Sequence, residues 1–455
     1  MKQSLFALIK YCFIVLPLPE WQRFRLKCLV FQLMAPLVSG SAGSRFLNEQ
    51  LRLSGMPRGS RPEERGAGDL RPWLLLIDSC TPTPDRDSGS MDVFNSIRIF
   101  IRMGYRVTFI PESNLLPLGP YTAALENLGV ECLSYQETAS VRDYLRRVGD
   151  QLDVVMLFRA PVAIRHSAAV RRYCPAAKLI FSTIDLHFLR EARSRNGQEA
   201  LDRSRMTLLH RAELRCIQEA DHSIVISEAE LALIHRELPG VPVSVVPLVR
   251  EFEAATALPF EARSGLAFVG NYQHPPNIDA VLFFLREVWP LIQEKLPEAH
   301  FSIVGSYMPD VIREASGEGV DLLGFVDSLD DLFGRIRLSV APLRVGAGLK
   351  GKVATSLGYG VPIVMTTIAA EGMGLQNEED ALIADDPVAF AEAVIRLYSD
   401  SALWDRLSIR GGQAARRLFS IEVSEVAYSS IFRQLGLPVT GGHKLPEFSL
   451  SPENK

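Results

Sequence analysis

From Pro72 onward the chain alternates short apolar or β-branched runs with longer amphipathic segments, and it does so twice. The first train is Trp73–Ile77, Arg106–Ile110, Val154–Leu157, Lys178–Thr183, Ser223–Ser227 and Val243–Pro247. The second is Leu266–Gly270, Phe301–Gly305, Asp321–Phe325, Leu338–Pro342 and Pro362–Thr366. Runs of this length suit buried strands and the segments between them suit helices, so the pattern predicts an α/β architecture with parallel sheets. The alternation pauses in the polar, alanine-rich stretch from Leu248 to Ser264, and 455 residues exceed what one core usually organises. The expectation is two doubly wound, Rossmann-like domains facing a cleft, over residues 71–250 and 265–420, joined by a linker at 251–264. A C-terminal helix at 421–437 and a tail at 438–455 follow.

In the second train, Ile278, Val281, Leu282, Leu285, Val288 and Trp289 recur at helical spacing, which predicts a helix from Asn277 to Glu294 with Asn277 as its N-cap. Trp289 and the pair Phe283–Phe284 fall on its apolar face and read as core. Tyr272, His274 and Asn277 stand on the loop after the first strand of this train, on an edge expected to face the cleft.

Composition narrows the function. The 49 basic and 53 acidic residues leave a net charge of −4, no field that would gather a nucleic acid. The six cysteines, at positions 12, 28, 80, 132, 174 and 216, form no Cys-x-x-Cys pair and read as reduced thiols. The eight histidines show no metal-ligand spacing, and no metal is expected.

The stretch RVGAGLKGKVATSLGYGVPIV, residues 344–364, runs from a glycine-rich loop through two lysines into a helix and then a strand. Gly346 and Gly348 let the backbone approach a ligand closely, the helix N-terminus offers unpaired N–H groups, and Lys350 and Lys352 add positive charge. Cations at a helix N-terminus oppose its dipole unless an anion compensates. The arrangement suits a diphosphate, as in a nucleotide-activated substrate.

With that loop stand LAFVGNYQHPPNIDAV (266–281), FSIVGS (301–306), GFVDSLDDLF (324–333), SVAPLRVGAGLKGKVATSLGYGVPIVMT (339–366) and EGM at Glu371–Met373. In this order they resemble a bacterial family 4-type glycosyltransferase of the GT-B fold with a glycosyltransferase group 1 C-terminal domain, over about residues 72–435. The family's donor site usually carries two glutamates eight positions apart. Here Ala347 and Thr355 occupy those places, with Ser356 beside the second. Similar bacterial enzymes carry GAGxKGK with an uncharged polar residue there. The resemblance implies a donor site of Gly270, Asn277, Gly346, Gly348, Lys350, Lys352, Thr355 and Ser356, with Glu371 replacing part of the missing pair.

DSCTPTPDRDSGSMDVF, residues 78–94, resembles the family's first cleft-facing loop, with Arg86 to reach phosphates, Gly89 to allow a tight turn, and Ser88 or Ser90 to cap the next helix. After Lys178–Thr183, the sequence IDLHFLRE places Asp185, His187 and Arg190 at a strand's C-terminal end. The resemblance puts Asp185 or His187 beside the reacting sugar, without choosing between them. It implies transfer with retention from a nucleotide diphosphate sugar to a saccharide or lipid-linked saccharide acceptor. The leaving diphosphate would be stabilised by the loop amides around Gly346 and Gly348, by Lys350 or Lys352, and by the helix dipole, with no cofactor and no metal. The pathway implied is bacterial polysaccharide or lipopolysaccharide synthesis in the cytoplasm. Sugar-nucleotide epimerases and phosphorylases share paired Rossmann domains, but a phosphorylase would need a lysine site for pyridoxal phosphate that this sequence does not offer. The reading from another class is a non-catalytic, nucleotide-sugar-binding scaffolding subunit, suggested by the absent glutamates.

Residues 1–70 form an extension and linker. Leu5 to Leu18 is apolar but interrupted by Lys10 and broken at Pro17, shorter than the ~20 residues of a membrane span. No small-x-small cleavage site follows it. Cys28 to Val38, preceded by Arg23, Arg25 and Lys27, makes residues 1–40 suited either to lie on the inner face of an anionic membrane or to pack on the body. Peripheral attachment predicts that a truncation starting near Leu70 leaves the membrane fraction on flotation while the full chain stays with it.

Overall fold

The computed structural model describes residues 69–440 apart from 113, 114, 116, 135, 136, 139, 195–199, 253–257, 327 and 347. Most of the N-terminal extension, most of the tail and Ala347 therefore lie outside the described residues. Two parallel sheets organise the rest. The first joins β1 (Trp73–Asp78), β2 (Arg106–Pro111), β3 (Glu131–Cys132), β4 (Val154–Phe158), β5 (Lys178–Ser182), β6 (His222–Val225) and β7 (Val243–Val245) in the order β3-β2-β1-β4-β5-β6-β7. The second joins β8 (Leu266–Val269), β9 (Phe301–Val304), β10 (Val320–Gly324), β11 (Leu338–Ala341), β12 (Ile363–Met365) and β13 (Leu382–Ile383) as β10-β9-β8-β11-β12-β13. Strand order reverses between β1 and β4 and again between β8 and β11, and in open α/β sheets ligands sit beyond the strand ends at such points.

The inner strands β1, β4 and β11 are apolar because both faces are covered, whereas the edge strand β10 alternates half-buried and exposed residues. Along β1, Trp73, Leu75 and Ile77 pack into one core layer, while Leu74 and Leu76 enter the other, the two-residue period of a pleated strand. The eleven sequence-predicted strands appear with ends shifted by up to two residues. β3 and β13 escaped the reading because two residues cannot display a period.

Two helix starts differ from expectation. The helix expected from Asn277 begins at Pro275, with His274 at the N-cap and prolines in its first turn, which suit positions where N–H groups have no helical partner. Asn277 lies inside the helix and donates from Nδ2 to the Asn271 carbonyl at 2.7 Å. The helix continues through a π-helical segment, Phe284–Val288, into Trp289–Lys295. Phe283, Phe284 and Trp289 are core, as expected, whereas Tyr272 is core too and its hydroxyl points at the Val304 carbonyl. The helix Ser88–Arg102 is capped by Asp87, which accepts from the Ser90 N–H at 2.8 Å, so neither serine is the cap.

The chain passes between the sheets at Val249–Glu251 and returns at Phe419–Ile421, where the Arg250 N–H donates to the Phe419 carbonyl and the Ile421 N–H donates to the Arg250 carbonyl. The final helix, Ile421–Gln434, then lies on Ser88–Arg102 of the first sheet, with Tyr428 edge-on to Phe100 and Phe432 stacked on it. Arg250 is 3% exposed. Its guanidinium donates to Asp92, to the Ser88 hydroxyl and to the Val249 carbonyl. Removing one partner of a buried pair strands the other charge. Asp92→Ala is therefore expected to cost about 3–5 kcal/mol in urea unfolding. Arg410→Ala, which breaks the half-exposed pair with Glu379, is expected to cost less than ~1 kcal/mol.

Candidate active site

The second sheet contributes the glycine-lysine loop, which leaves β11 at its switch point. Gly346 and Gly348 adopt φ of 145° and 68°, conformations that side chains resist. They turn the chain so that Lys350 stands at the N-cap position of the helix Gly351–Gly358, with no side-chain capping hydrogen bond. Lys350 is buried, its Nζ donating to the Gly348 carbonyl and its backbone N–H facing Met373 Sδ at 3.3 Å. Lys352, half-buried in the first turn, donates to Asn277 Oδ1 at 2.7 Å and stands 3.9 Å from the centre of the Phe268 ring. Burial, and then the charge of Lys350, pulls its ammonium down to about 7.

Gly270, at the end of β8, keeps this corner open: a Cβ there would lie 2.8 Å from Phe268 and 3.1 Å from the Asn277 amide. Thr355 is half-buried on the Gly351–Gly358 helix. Ser356 faces the core, not the cleft, with its hydroxyl on Ser339 Oγ at 2.7 Å and on the Val361 carbonyl at 2.9 Å. Glu371 lies past β12 and lines a cavity beside Gly348.

Across from the loop stand the strand ends of the first sheet. Asp185, His187 and Arg190 form one cluster. Arg190 Nη1 donates to both Asp185 oxygens, at 3.0 and 2.8 Å, and His187 Nε2 lies 3.4 Å from Asp185 Oδ1. Burial pushes the His187 imidazole down to about 4, against the pull of Asp185, so the ring is neutral at pH 7. The turn is held from below by Glu213, fully buried, whose carboxyl accepts the N–H groups of His187 at 3.0 Å and Phe188 at 2.9 Å. Burial raises Glu213 to about 7. Ile184, a β-branched residue at φ 62°, carries backbone strain at the entry to this turn.

The two halves touch at these points. A Cβ on Gly348 would lie 3.4 Å from Asp185 and from Ile226, and one on Gly372 would lie 3.3 Å from Ser227. A Cβ on Gly351 would strike the Ser88 hydroxyl and approach Arg250. His274 feels the charges of Asp87, Asp185, Arg190 and Lys352, which places it in the same cleft, and burial lowers its imidazole.

The first loop behaves differently from its expectation. The anion at the N-terminus of Ser88–Arg102 is the protein's own Asp87. Ser88 serves Arg250. Gly89 has no left-handed φ and makes no tight turn; its missing Cβ leaves room for the Arg159 guanidinium, from which a Cβ there would lie 3.1 Å. Arg86 is held by Tyr121 at 2.9 Å and lies over the Phe325 ring of the other sheet at 5.9 Å. Its carbonyl accepts from Asn271.

Three residues at this cleft went unread in the sequence. Arg159 follows β4 at the switch point, with φ 73° and an Nε–H donated to the buried Asp78 carboxylate at 2.9 Å. One arginine after a strand carries no signal of its role. Glu213 sits within a long helix and is likewise silent. Glu230 was legible, because Ser227-x-x-Glu230 is a capping-box spacing, and the Glu230 N–H does donate to Ser227 Oγ at 3.2 Å.

Among the described residues no group of three or more His, Cys, Asp or Glu is placed to hold a metal, and no helix is long and apolar enough to cross a membrane. Residues 263–400 match the family model described as Glycosyl transferases group 1. An uncharacterized 44.6 kDa protein in the cps region of Klebsiella pneumoniae is 23% identical over 176 residues, 37% of this chain and 45% of that protein, so the match spans less than half the length of this curated relative. Among solved structures, sucrose-phosphate synthase from Thermosynechococcus elongatus superposes with a TM-score of 0.61 at 14% identity, over 80% of this chain and 99% of that one. Anabaena HepE in complex with UDP and glucose gives 0.61 at 12% identity over 79% and 99%. TarM gives 0.62 at 9% identity over 80% and 99%. The fold is therefore that of the GT-B glycosyltransferases, and the half bearing the glycine-lysine loop is similar to glycosyl transferases group 1.

Proposed function

We propose that the protein is a retaining glycosyltransferase of the family 4 type that moves a sugar from a nucleotide diphosphate sugar to an acceptor hydroxyl. The observation that carries this reading is the meeting of Gly348 with Asp185 across the cleft, which sets a cationic loop against a carboxylate–imidazole cluster. The diphosphate would rest on Lys350, Lys352 and the N–H groups at the start of Gly351–Gly358, donors aimed at the charge that grows on the leaving group. An arriving anion would also relieve the repulsion between the two lysines. Neutral His187 offers a hydrogen-bond acceptor beside the sugar, and Asp185 with Arg190 holds its orientation. This chemistry requires no cofactor of the protein's own.

The relative in a cps region and the polysaccharide chemistry implied by the sequence support a place in bacterial cell-surface glycan synthesis, on a saccharide or lipid-linked acceptor. HepE was crystallised with UDP and glucose, which makes UDP the first nucleotide to try. The rival reading, a non-catalytic scaffolding subunit, is favoured by Thr355 and Ser356 in place of a carboxylate at the second donor position, with Ser356 turned into the core. Hydrolysis of a nucleotide sugar in the absence of acceptor separates the two.

Calorimetric titration with UDP, GDP, dTDP and ADP is expected to show one tight ligand, with affinity reduced at least about tenfold in Lys350→Ala. Binding of none supports the scaffolding subunit. Lys352 binds an anion as its protonated form and loses that proton above about pH 7. Affinity is therefore expected to fall by up to about tenfold per pH unit from pH 7 to 9 in the wild type. Lys352→Met is expected to bind more weakly at pH 7 and to show a flat profile over the same range.

A further inference from the structure

The turn that carries Asp185 and His187 follows β5 and opens the helix His187–Ser194. The first N–H groups of a helix have no partner within it. Here they are met from beneath by two carboxyl groups that reach in from different helices. Glu213, on Ala200–Glu219, accepts the His187 N–H on one oxygen and the Phe188 N–H on the other. Glu230, on Glu228–Glu237, has the Leu186 N–H directed at it and accepts the Ile226 N–H on Oε2 at 3.2 Å. Three successive N–H groups of one turn are thus held by two side chains that are 0% and 3% exposed.

A serine or asparagine at the N-cap would satisfy such a turn without burying a charge. Two carboxyls are a costlier choice, because burial raises both to about 7 and Asp185 adds a third negative charge close by. The N–H groups act against burial and favour the ionised forms, which accept on both oxygens. What the pair adds is a fixed position. Ile184 keeps its strained φ of 62° immediately before the held residues, and such strain persists only where the surroundings over-determine the backbone. Glu230 also ties the turn to Ile226, and a Cβ on Gly348 would lie 3.4 Å from both Asp185 and Ile226. The two points at which the glycine-lysine loop meets the first sheet therefore hang on one carboxyl.

Resting on the glycosyltransferase reading, we propose that Glu213 and Glu230 are positioning residues, a paired carboxylate clamp that sets Asp185 and His187 against the glycine-lysine loop for sugar transfer. They act through the backbone of the turn and not on the sugar.

The test uses the full chain with Glu213→Gln and Glu230→Gln, which keep side-chain volume but turn an amide NH2 toward a backbone N–H. The control is Ile217→Ala, which empties a core position one turn along the same helix from Glu213 and leaves the clamp in place. UDP, GDP, dTDP and ADP are titrated by calorimetry, and sugar conjugates of the one that binds serve as donors for turnover. Each Gln variant is expected to lose about tenfold or more in kcat, with donor KM and nucleoside diphosphate affinity within about twofold of wild type, because the diphosphate rests on the other half. Ile217→Ala is expected to lower the thermal midpoint and keep kcat within about twofold. Because the two carboxyls act as a unit, the double Gln variant is expected to lose no more than about the larger single loss. The His187 Cε1–H resonance, assigned by its disappearance in His187→Gln, is expected to move in both Gln variants and to stay in place in Ile217→Ala. The inference is overturned if the Gln variants keep kcat, if Ile217→Ala loses as much kcat as they do, or if the two Gln losses multiply. A wild-type protein that binds no nucleoside diphosphate, or turns over none of the donors, overturns the transferase reading itself, and the inference with it.

Discussion

The buried guanidinium of Arg250 ties the architecture together. It sits where the chain first passes from one sheet to the other, beside the strand bridge to Ser420 where the chain returns. It reaches Asp92 and Ser88 on the helix after β1 and comes against Gly351, the first residue of the helix after the glycine-lysine loop. A single cation therefore touches the crossing and one element from each side of the cleft. Desolvating it is costly, and its three acceptors recover that cost only while the two halves keep their positions. The first loop's Ser88 serves this junction, which explains why a serine expected at a ligand is found holding an arginine.

The cleft gathers ionisable groups that burial and proximity push toward neutrality. On one side two lysines share a helix N-terminus, one of them depressed to about 7 by burial and by its neighbour. On the other, burial keeps His187 neutral and lifts Glu213 and Glu230 into the range where they are partly protonated. Groups moved toward neutrality on both sides of one cleft are a mark of functional sites. Strained backbone at Ile184 and Arg159, both entering that cleft, is a second mark of the same kind.

Much of this was readable residue by residue. The runs that became β1, β4, β5 and β8 declared themselves because a parallel strand buried on both faces must be continuously apolar. The glycine-lysine loop was visible because glycines and clustered cations before a helix have few other uses. Caps were misread. Ser88, Ser90 and Asn277 all have side chains fit for capping, yet Asp87 and the His274–Pro275 start won, and composition alone does not rank neighbouring candidates. Tyr272 looked like a cleft residue by position and lies in the core, its ring beside Phe268 and its hydroxyl on the Val304 carbonyl of β9.

The sequence by itself determined the α/β class, the two sheets, and the glycine-lysine loop before a helix, since these depend on local periodicity and on backbone freedom at Gly346 and Gly348. Only the tertiary structure decided which side chains share the site. Arg159, Glu213 and Glu230 come to the cleft because the strands of the first sheet run parallel, so that their C-terminal ends and the segments that follow them share one edge. It also sent Ser356 inward and turned Arg86 toward Tyr121 and Phe325. Burial and charge proximity, which set the protonation of Lys352, His187 and Glu230, are properties of neighbours in space, and no local pattern records them.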